Sequence, residues 1–426
     1  MTERADAAMP RSSTLGRIAR LAADDPAQAQ VELARALAEA QGPLVEPLPE
    51  RPGDVLVTFV ATGATEPPLV ASQLFRGVEQ QPMQPVPGCR GAWWAETTAP
   101  ADAATVYQFQ RRPIAEAGAD VVDDPRALGR YLEEVYEISD ADPHNPHRCR
   151  PVTALMIDGA APAPPLEKWQ SVVALPDAER FTWHDEAPAG RVETIAVASG
   201  ILRNERTVTV WSPAAADDEA PLPLVVLLDG ECFLHGMDAP RIFDNLVHRL
   251  RAPGFLAALV HNASPSSRVV EYPCHPGFPS FLADELLPRL RRRYPRLDGR
   301  RVVIGGYSYG GLAACWSGYR RPDAFTDVLA LSPSLWWGSP HEWLTQQFAA
   351  APRLPLRFRL EVGTLEVGPL GLSDPSVTML SVSQRLRDVL LERGYEVGYR
   401  ERPGGHDFVS WRHALAEGLP HLLASE

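Results

Sequence analysis

The sequence predicts two units: a small, immunoglobulin-like β-sandwich and, behind it, an α/β domain built on a largely parallel sheet. Three observations lead there. Early in the chain, short β-like runs alternate apolar and polar residues between Gly and Pro clusters. Beyond Arg191, strand-like runs alternate with helical segments, the pattern of a parallel α/β sheet. Between the two, the proline-rich Ala160-Ala-Pro-Ala-Pro-Pro165 reads as a linker. The units are therefore expected at residues 1–160 and 161–426, and 426 residues is long for a single domain.

The elements follow in order. Residues 27–40 are rich in Ala and Leu and favour a helix. Residues 54–60, 91–97 and 105–110 supply strands of the sandwich. In the second unit, Val208-Thr-Val-Trp211 and Leu224-Val-Val-Leu-Leu228 read as strands. Residues 281–294 read as a helix, with Leu282, Leu286 and Leu290 on one stripe and three arginines near its end. Val302-Val-Ile304 is a buried strand, and Leu312-Ala-Ala-Cys-Trp316 a helix. Strand-like residues 328–331 and 356–360 come next, then a helix near 381–393 and a strand-like run at 396–401. There is no internal repeat.

Composition limits the function. With 45% hydrophobic and 22% charged residues, the chain can bury large cores. A formal net charge of −13 argues against nucleic acid and anionic membranes as partners. The five cysteines (Cys89, Cys149, Cys232, Cys274, Cys315) are odd in number and form no C-x-x-C pair. Reduced thiols in a cytoplasm fit that better than a disulfide framework. The start of the chain lacks an apolar core behind a basic segment, so no signal peptide is expected, and no stretch approaches a transmembrane length.

The chemistry is concentrated around Ser308. Gly306-Tyr-Ser308-Tyr-Gly310 is a G-x-S-x-G between a predicted strand and a predicted helix, the frame of a nucleophile elbow. Bare G-x-S-x-G is common; the strand before it and the helix after it make it specific. The small glycines let strand and helix pass closely while the serine projects from the corner, and the helix N-terminus favours developing negative charge. An α/β-hydrolase is expected. A serine hydroxyl is a poor nucleophile at neutral pH and needs a base, and the base needs a carboxylate to hold its tautomer. In this fold the order along the chain is Ser, acid, His. His406, in Gly404-Gly-His-Asp407 after the last strand-like run, stands where the base belongs. For the acid, Glu366 in the loop after residues 356–360 comes first, with Asp374 as its competitor. Asp407 is adjacent to His406 and is expected to orient the loop. The oxyanion donors are expected to be the backbone N–H of Tyr309 and that of Glu231, where Gly230 permits the turn.

At these residues the sequence resembles the enterochelin (ferric enterobactin) esterases. The resemblance rests on Asp229-Gly230, Glu271-Tyr-Pro-Cys274, Glu285-Leu-Leu-Pro288, Gly306-x-Ser308-x-Gly-Gly311, Ser334-Leu-Trp-Trp337 and Gly404-Gly-His-Asp407-x-x-x-Trp411-Arg412. It extends more loosely to Asp142-Pro143-x-Asn145 and Ala154-Leu-Met156. The Gly-Gly-His-Asp signature also occurs in feruloyl and other esterase-D-like enzymes; the β-domain in front favours the siderophore branch. The resemblance implies cytoplasmic hydrolysis of the ester bonds of a cyclic serine trilactone bearing catechols, which eases iron release. It supports Glu366 as the acid, and it implies no cofactor, since iron arrives with the substrate. Tyr307 and Tyr309 beside the serine, and His275 where the family more often has Asn, depart from the pattern and bear on which siderophore is used.

A ferric catecholate is polyanionic while the chain is acidic, so a local cation must meet it. Arg268 is the candidate anion contact, with an ion pair to Glu271 as its alternative. Of Trp336 and Trp337, one is expected to wall the cleft for catechol rings and the other to pack in the core. Trp93 and Trp94 are expected at the core and rim of the sandwich, helping to close the site from the N-terminal side. Cys274 reads as a buried thiol. His144, His147 and Cys149 match no zinc spacing and read as loop residues, so no metal site is expected. The alternatives are another carboxylesterase or acyltransferase of aryl-acyl or feruloyl type, and a siderophore-binding protein with an inactive elbow. The oligomeric state is left unassigned.

Overall fold

The computed structural model describes residues 9–77, 80–115, 124–151, 165–180, 186–214, 221–249, 251–338, 340–368, 370, 372 and 374–424. The linker residues 160–164, the Ala154-Leu-Met156 motif and the expected division at 160/161 lie outside the described residues.

Two helices open the chain, Ser13–Asp24 and Pro26–Ala40. Ser12 and Asp25 cap them, accepting from Leu15 N and Gln28 N, and Pro26 occupies a first-turn position where its missing N–H costs nothing. Two antiparallel sheets follow. The first runs in the order Leu44–Pro47, Asp54–Thr62, Ala92–Pro100, Gln84–Pro85. The second runs Gln80–Pro82, Leu69–Ser72, Ala104–Gln110, Gln170–Ala174, Arg148–Cys149, with Ser139–Asp140 also pairing with Ala104–Gln110. The N-terminal sheets thus take residues well past the proline-rich stretch.

Strand period sets the packing here. Val55, Val57, Phe59 and Ala61 share one core with Val70, Tyr107, Phe109 and Val173 of the second sheet. Val60, on the opposite face, packs with Leu15, Ile18, Leu33, Leu37 and Trp94 under the two helices.

The large sheet holds eight strands: β1 (Arg191–Ser199), β2 (Asn204–Ser212), β3 (Leu222–Leu228), β4 (Leu256–Val260), β5 (Leu297–Tyr307), β6 (Asp327–Leu331), β7 (Arg357–Gly363) and β8 (Glu396–Arg402). Their order is β1-β2-β4-β3-β5-β6-β7-β8. The first two pairings are antiparallel and the other five are parallel. Alternate residues feed two cores. Leu224, Val226, Leu228, Ile304 and Ala330 face one, with Leu282, Leu286 and Leu290 as the predicted stripe. Val225, Leu227, Val303 and Leu329 face the other, covered by Phe243, Trp411, Leu415 and Leu419. The helix expected at 281–294 is a π-turn, Phe281–Leu286, running into Leu287–Arg293. Pro288 explains the widening, because it lacks an N–H and its ring crowds the carbonyl four residues back.

Candidate active site

The parallel strands end on the side where Ser308, Glu366 and His406 gather. β5 stops at Tyr307, and the helix Tyr309–Arg320 begins one residue after Ser308. Ser308 is the corner, with φ 52° and ψ −122°. A non-glycine residue in such a region costs about 1–3 kcal/mol and persists only where its surroundings impose it. Here they do: Ser308 N donates to Leu331 O (3.0 Å), and Ser334 N donates to Ser308 O (3.0 Å). Gly306 must lack a side chain, since a Cβ there would stand 2.5 Å from the Gly310 backbone. The Ser308 hydroxyl lies 3.3 Å from Ser334 Oγ, and among the described residues it makes no hydrogen bond to His406. Catalytic hydrogen bonds commonly tighten only once substrate is bound.

His406 Nδ1 and Glu366 Oε2 are 2.7 Å apart. A carboxylate accepts only, so Nδ1 carries the proton and Nε2 bears the lone pair. Glu366 is 2% exposed, and its other oxygen accepts from Ser332 Oγ (2.5 Å) and Gly363 N (2.7 Å). Trp411 donates in turn to Ser332 Oγ and sets its ring edge-on to the imidazole at 4.7 Å. Of the two carboxylates the sequence left open, Glu366 reaches the imidazole. Asp374 is exposed and held by its own turn, where Ser376 Oγ and N keep its carboxyl below the usual range. Asp407 turns away from the ring. It caps the helix Phe408–Leu423 through Ser410 N and accepts from Thr105 Oγ1 (2.6 Å).

Across the pocket, the loop after β3 departs from expectation in its mechanics. Asp229, not Gly230, takes the left-handed conformation, with φ 63°. Gly230 is required for space, because a Cβ would stand 2.5 Å from the Leu259 backbone. Arg268 binds Asp229 by Nε to Oδ1 (2.7 Å) and Nη2 to Oδ2 (2.8 Å). This corrects the alternative pairing with Glu271, which instead holds Arg206 at 2.9 Å and Asn204. Asn262 Nδ2 bridges Asp229 Oδ1 (2.8 Å) and Glu231 Oε1 (2.6 Å). Glu231 is buried; burial first, and then Asp229, push its carboxyl up to about 7.

The pocket has a volume of about 350 Å³. Ser308, Tyr309, Arg268, Trp336, Glu366 and His406 line it; Glu231 and Trp337 do not. Trp336 is the wall residue, 5.9 Å from the Tyr309 ring, and Trp337 packs partly buried against the core. Four lining groups escaped the sequence reading: Ser334, Gln73, Leu370 with Met379, and Leu128 with Leu132. Ser334 stood in a quoted motif, and Leu128 and Leu132 carry helical spacing behind an Asp-Pro start. Trp93 and Trp94 stay in the N-terminal unit, where Trp93 donates to Ala64 O and Trp94 is buried under the helices. His144 bonds Thr62 at 3.0 Å, and no metal-type cluster of His, Cys, Asp or Glu forms among the described residues. All five cysteines are unpaired and buried. No helix among the described residues is long and apolar enough to cross a membrane.

Residues 199–422, more than half of the chain, match the family described as putative esterase, and the chain belongs to that family. Its second unit has the α/β-hydrolase type of esterase fold. Within that class it is similar to the enterobactin esterases. It is 31% identical over 238 residues to iron(III) enterobactin esterase of Escherichia coli strain K12, covering 56% of this chain and 58% of that protein. It is 28% identical over 279 residues to the iron(III) enterobactin esterase of Dickeya dadantii, covering 62% and 60%. The aligned part thus spans less than two thirds of these relatives. Ferric enterobactin esterase from Salmonella typhimurium superposes with a TM-score of 0.72 at 25% identity, over 90% of this chain and 96% of that one. Enterobactin esterase from Shigella flexneri, solved in the presence of enterobactin, gives 0.69 at 25% identity over the same shares.

Proposed function

We propose that this chain is a serine esterase that hydrolyses the ester bonds of a ferric catecholate trilactone siderophore. The observation that carries the reading is the His406–Glu366 pair at 2.7 Å in one pocket with the elbow serine. The likeness to enterobactin esterases supports the substrate class. Ser308 Oγ gives its proton to His406 Nε2 and adds to the ester carbonyl carbon, with Glu366 stabilising the imidazolium. The oxyanion is held by Tyr309 N–H, at the helix N-terminus, with Glu231 N–H, which lies outside the pocket lining, as the proposed second donor. As the C–O bond breaks, His406 returns the proton to the departing alcohol. Water then gives a proton to His406 and adds to the acyl-enzyme; Ser308 leaves and is reprotonated.

Trp336 and Tyr309 offer aromatic faces to a catechol, and Leu128, Leu132 and Leu370 add apolar surface. Arg268 is the proposed anion contact through Nη1, the nitrogen not spent on Asp229, and Trp337 acts behind Trp336 as packing. No cofactor is needed in this scheme, and iron enters as part of the substrate. Unpaired buried cysteines support the cytoplasm as the compartment. We read the two N-terminal sheets as a β-sandwich domain preceding the esterase domain.

The test is mass analysis after incubation with ferric and iron-free catecholate trilactones. Linear trimer, dimer and monomer are expected, with one water added per bond cut, and none with Ser308→Ala. Turnover of a simple activated ester without trilactone cleavage points to another carboxylesterase. Binding without turnover of either substrate points to a non-catalytic siderophore protein.

A further inference from the structure

A second cavity, of about 250 Å³, adjoins His406. It shares Gln73 and His406 with the first pocket but does not include Ser308. One helix, Pro125–Ile138, lines both: Leu128 and Leu132 border the first, Tyr131 and Val135 the second. These pairs are neighbouring i, i+4 stripes of the same helix.

The two linings differ in kind. The Ser308 pocket offers aromatic and aliphatic groups and a guanidinium. Among the described residues the second is lined by no Asp, Glu, Lys or Arg, and it gathers five glutamines, Gln73, Gln80, Gln108, Gln110 and Gln170. A wall of uncharged amides suits a neutral ligand that carries amide or hydroxyl groups and disfavours an unpaired charge. Part of that capacity is unspent. Gln73 accepts from His406 N through Oε1, and among the described residues its Nε2 has no acceptor.

Ester cleavage divides the substrate at one C–O bond. The acyl carbon must reach Ser308, and the alcohol oxygen must reach His406 Nε2, which hands it a proton as the bond breaks. A cavity that includes His406 but not Ser308 lies where the alcohol half belongs. We propose that this cavity is the subsite for the alcohol half of the ester, and that it takes an uncharged alcohol bearing an amide, such as an N-acylserine unit. The proposal rests on the roles given above to Ser308 and His406. In a serine trilactone the departing alcohol is the hydroxyl of an N-acylserine whose own carboxyl is esterified and so uncharged, and the seryl amide is the group this cavity meets.

Two esters of one aromatic acid test this. One carries N-acetylserinamide as its alcohol; the other carries an alcohol of matched acidity without an amide. Equal acidity removes intrinsic leaving-group differences, so the ratio of the two kcat/KM values reports recognition of the alcohol half. The wild-type ratio is expected to favour the serinamide ester tenfold or more. Val135→Phe, which fills the cavity, is expected to cut that ratio at least fivefold. Val135→Leu, a smaller filling of the same cavity, serves where Val135→Phe does not fold. A wild-type ratio below tenfold, or a smaller cut in the folded variant, overturns the proposal. Cleavage of both esters with equal efficiency sinks the proposal alone. Failure of the wild type to cleave either ester removes the serine-esterase reading, and the subsite with it.

Discussion

Ser308 is held by residues close to it in sequence and by the next strand, whereas the His406 loop, besides its contacts with Glu366 and Trp411, is held by groups some three hundred positions away. The serine corner is written into Gly306, the end of β5 and the helix that follows, and Leu331 and Ser334 complete it. The histidine loop leans on the N-terminal unit. His406 N donates to Gln73 Oε1, 333 positions away, and Asp407 accepts from Thr105, 302 positions away. Ala104 N also donates to Pro403 O (2.9 Å). One half of the machinery is therefore local and the other is assembled across two units. The N-terminal unit is a structural partner of the catalytic loop as well as a wall of the pocket.

The comparison can be broken first at its local end. Ser308→Ala is expected to lower turnover by about 10⁵-fold or more while the fold and substrate binding persist. Steady-state rates, with circular dichroism as the control for folding, measure it. Near-normal turnover by a folded variant removes the mechanism. Next comes Glu366→Gln, which keeps shape and removes the charge that fixes the imidazole tautomer. By the serine-protease precedent the loss is about 10⁴-fold. Asp374→Asn is expected to change kcat/KM by less than about twofold, as surface changes away from a site usually do. A crippled Asp374→Asn beside an active Glu366→Gln reverses the assignment.

The same contrast explains what the sequence made legible. The order Ser, acid, His was readable because each residue sits in a short pattern after a strand. Six of the eight large-sheet strands were readable: β2, β3 and β5 by β-branched runs, β6 by an apolar run, and β7 and β8 by alternation of apolar and polar residues. β4 was not, because its Leu-Ala-Ala-Leu-Val carries alanines with little strand preference; β1 was passed over although Val192, Thr194, Ile195 and Val197 favour a strand. Gln73 had no local mark: it is one polar residue in a short turn, and its partner lies in the other unit. Arg268 shows the bias of sequence distance. Glu271 is three positions away and seemed its natural partner, yet the fold brings Asp229 across 39 positions. Gly230 was singled out rightly, but its role is close packing on β4, while Asp229 makes the turn.

A third effect bears on the loop opposite the serine. The Glu231 carboxyl, raised to about 7 by burial and by Asp229, stays protonated in the folded chain over a range where the unfolded chain has lost that proton. The stabilisation from this proton is complete below the ordinary Glu range, near 4.5, and is lost as pH rises through about 7. Over that window it amounts to on the order of 3 kcal/mol. Glu231→Gln, which cannot titrate, is expected to flatten the fall in stability between pH 5 and 8. Urea denaturation at both pH values checks it, and parallel declines in wild type and variant would falsify the assignment.

The smallest effect tests the distant anchor itself. Thr105→Val keeps the shape of the side chain and removes the hydroxyl that Asp407 accepts from. Asp407 is fully buried and its carboxyl is pushed up chiefly by burial, so losing a donor leaves it less well satisfied. A hydrogen bond to such a group is worth about 1.5–3 kcal/mol. Part of that is expected to appear as lower stability and part as misplacement of His406. We expect kcat to fall about tenfold, a modest loss next to the 10²-fold that a 1 Å displacement can cause. Thr105 lies outside the Ser308 pocket but lines the second cavity, so KM is read on the ester whose alcohol carries no amide, where it should move little. Thr105→Ser restores the hydroxyl and should bring kcat back to within about threefold, because the donor and not the methyl group is what matters. Wild-type kcat in Thr105→Val would mean that the histidine loop holds its own shape. The contrast between a local serine and a remotely held histidine would then be one of contacts, without consequence for the reaction.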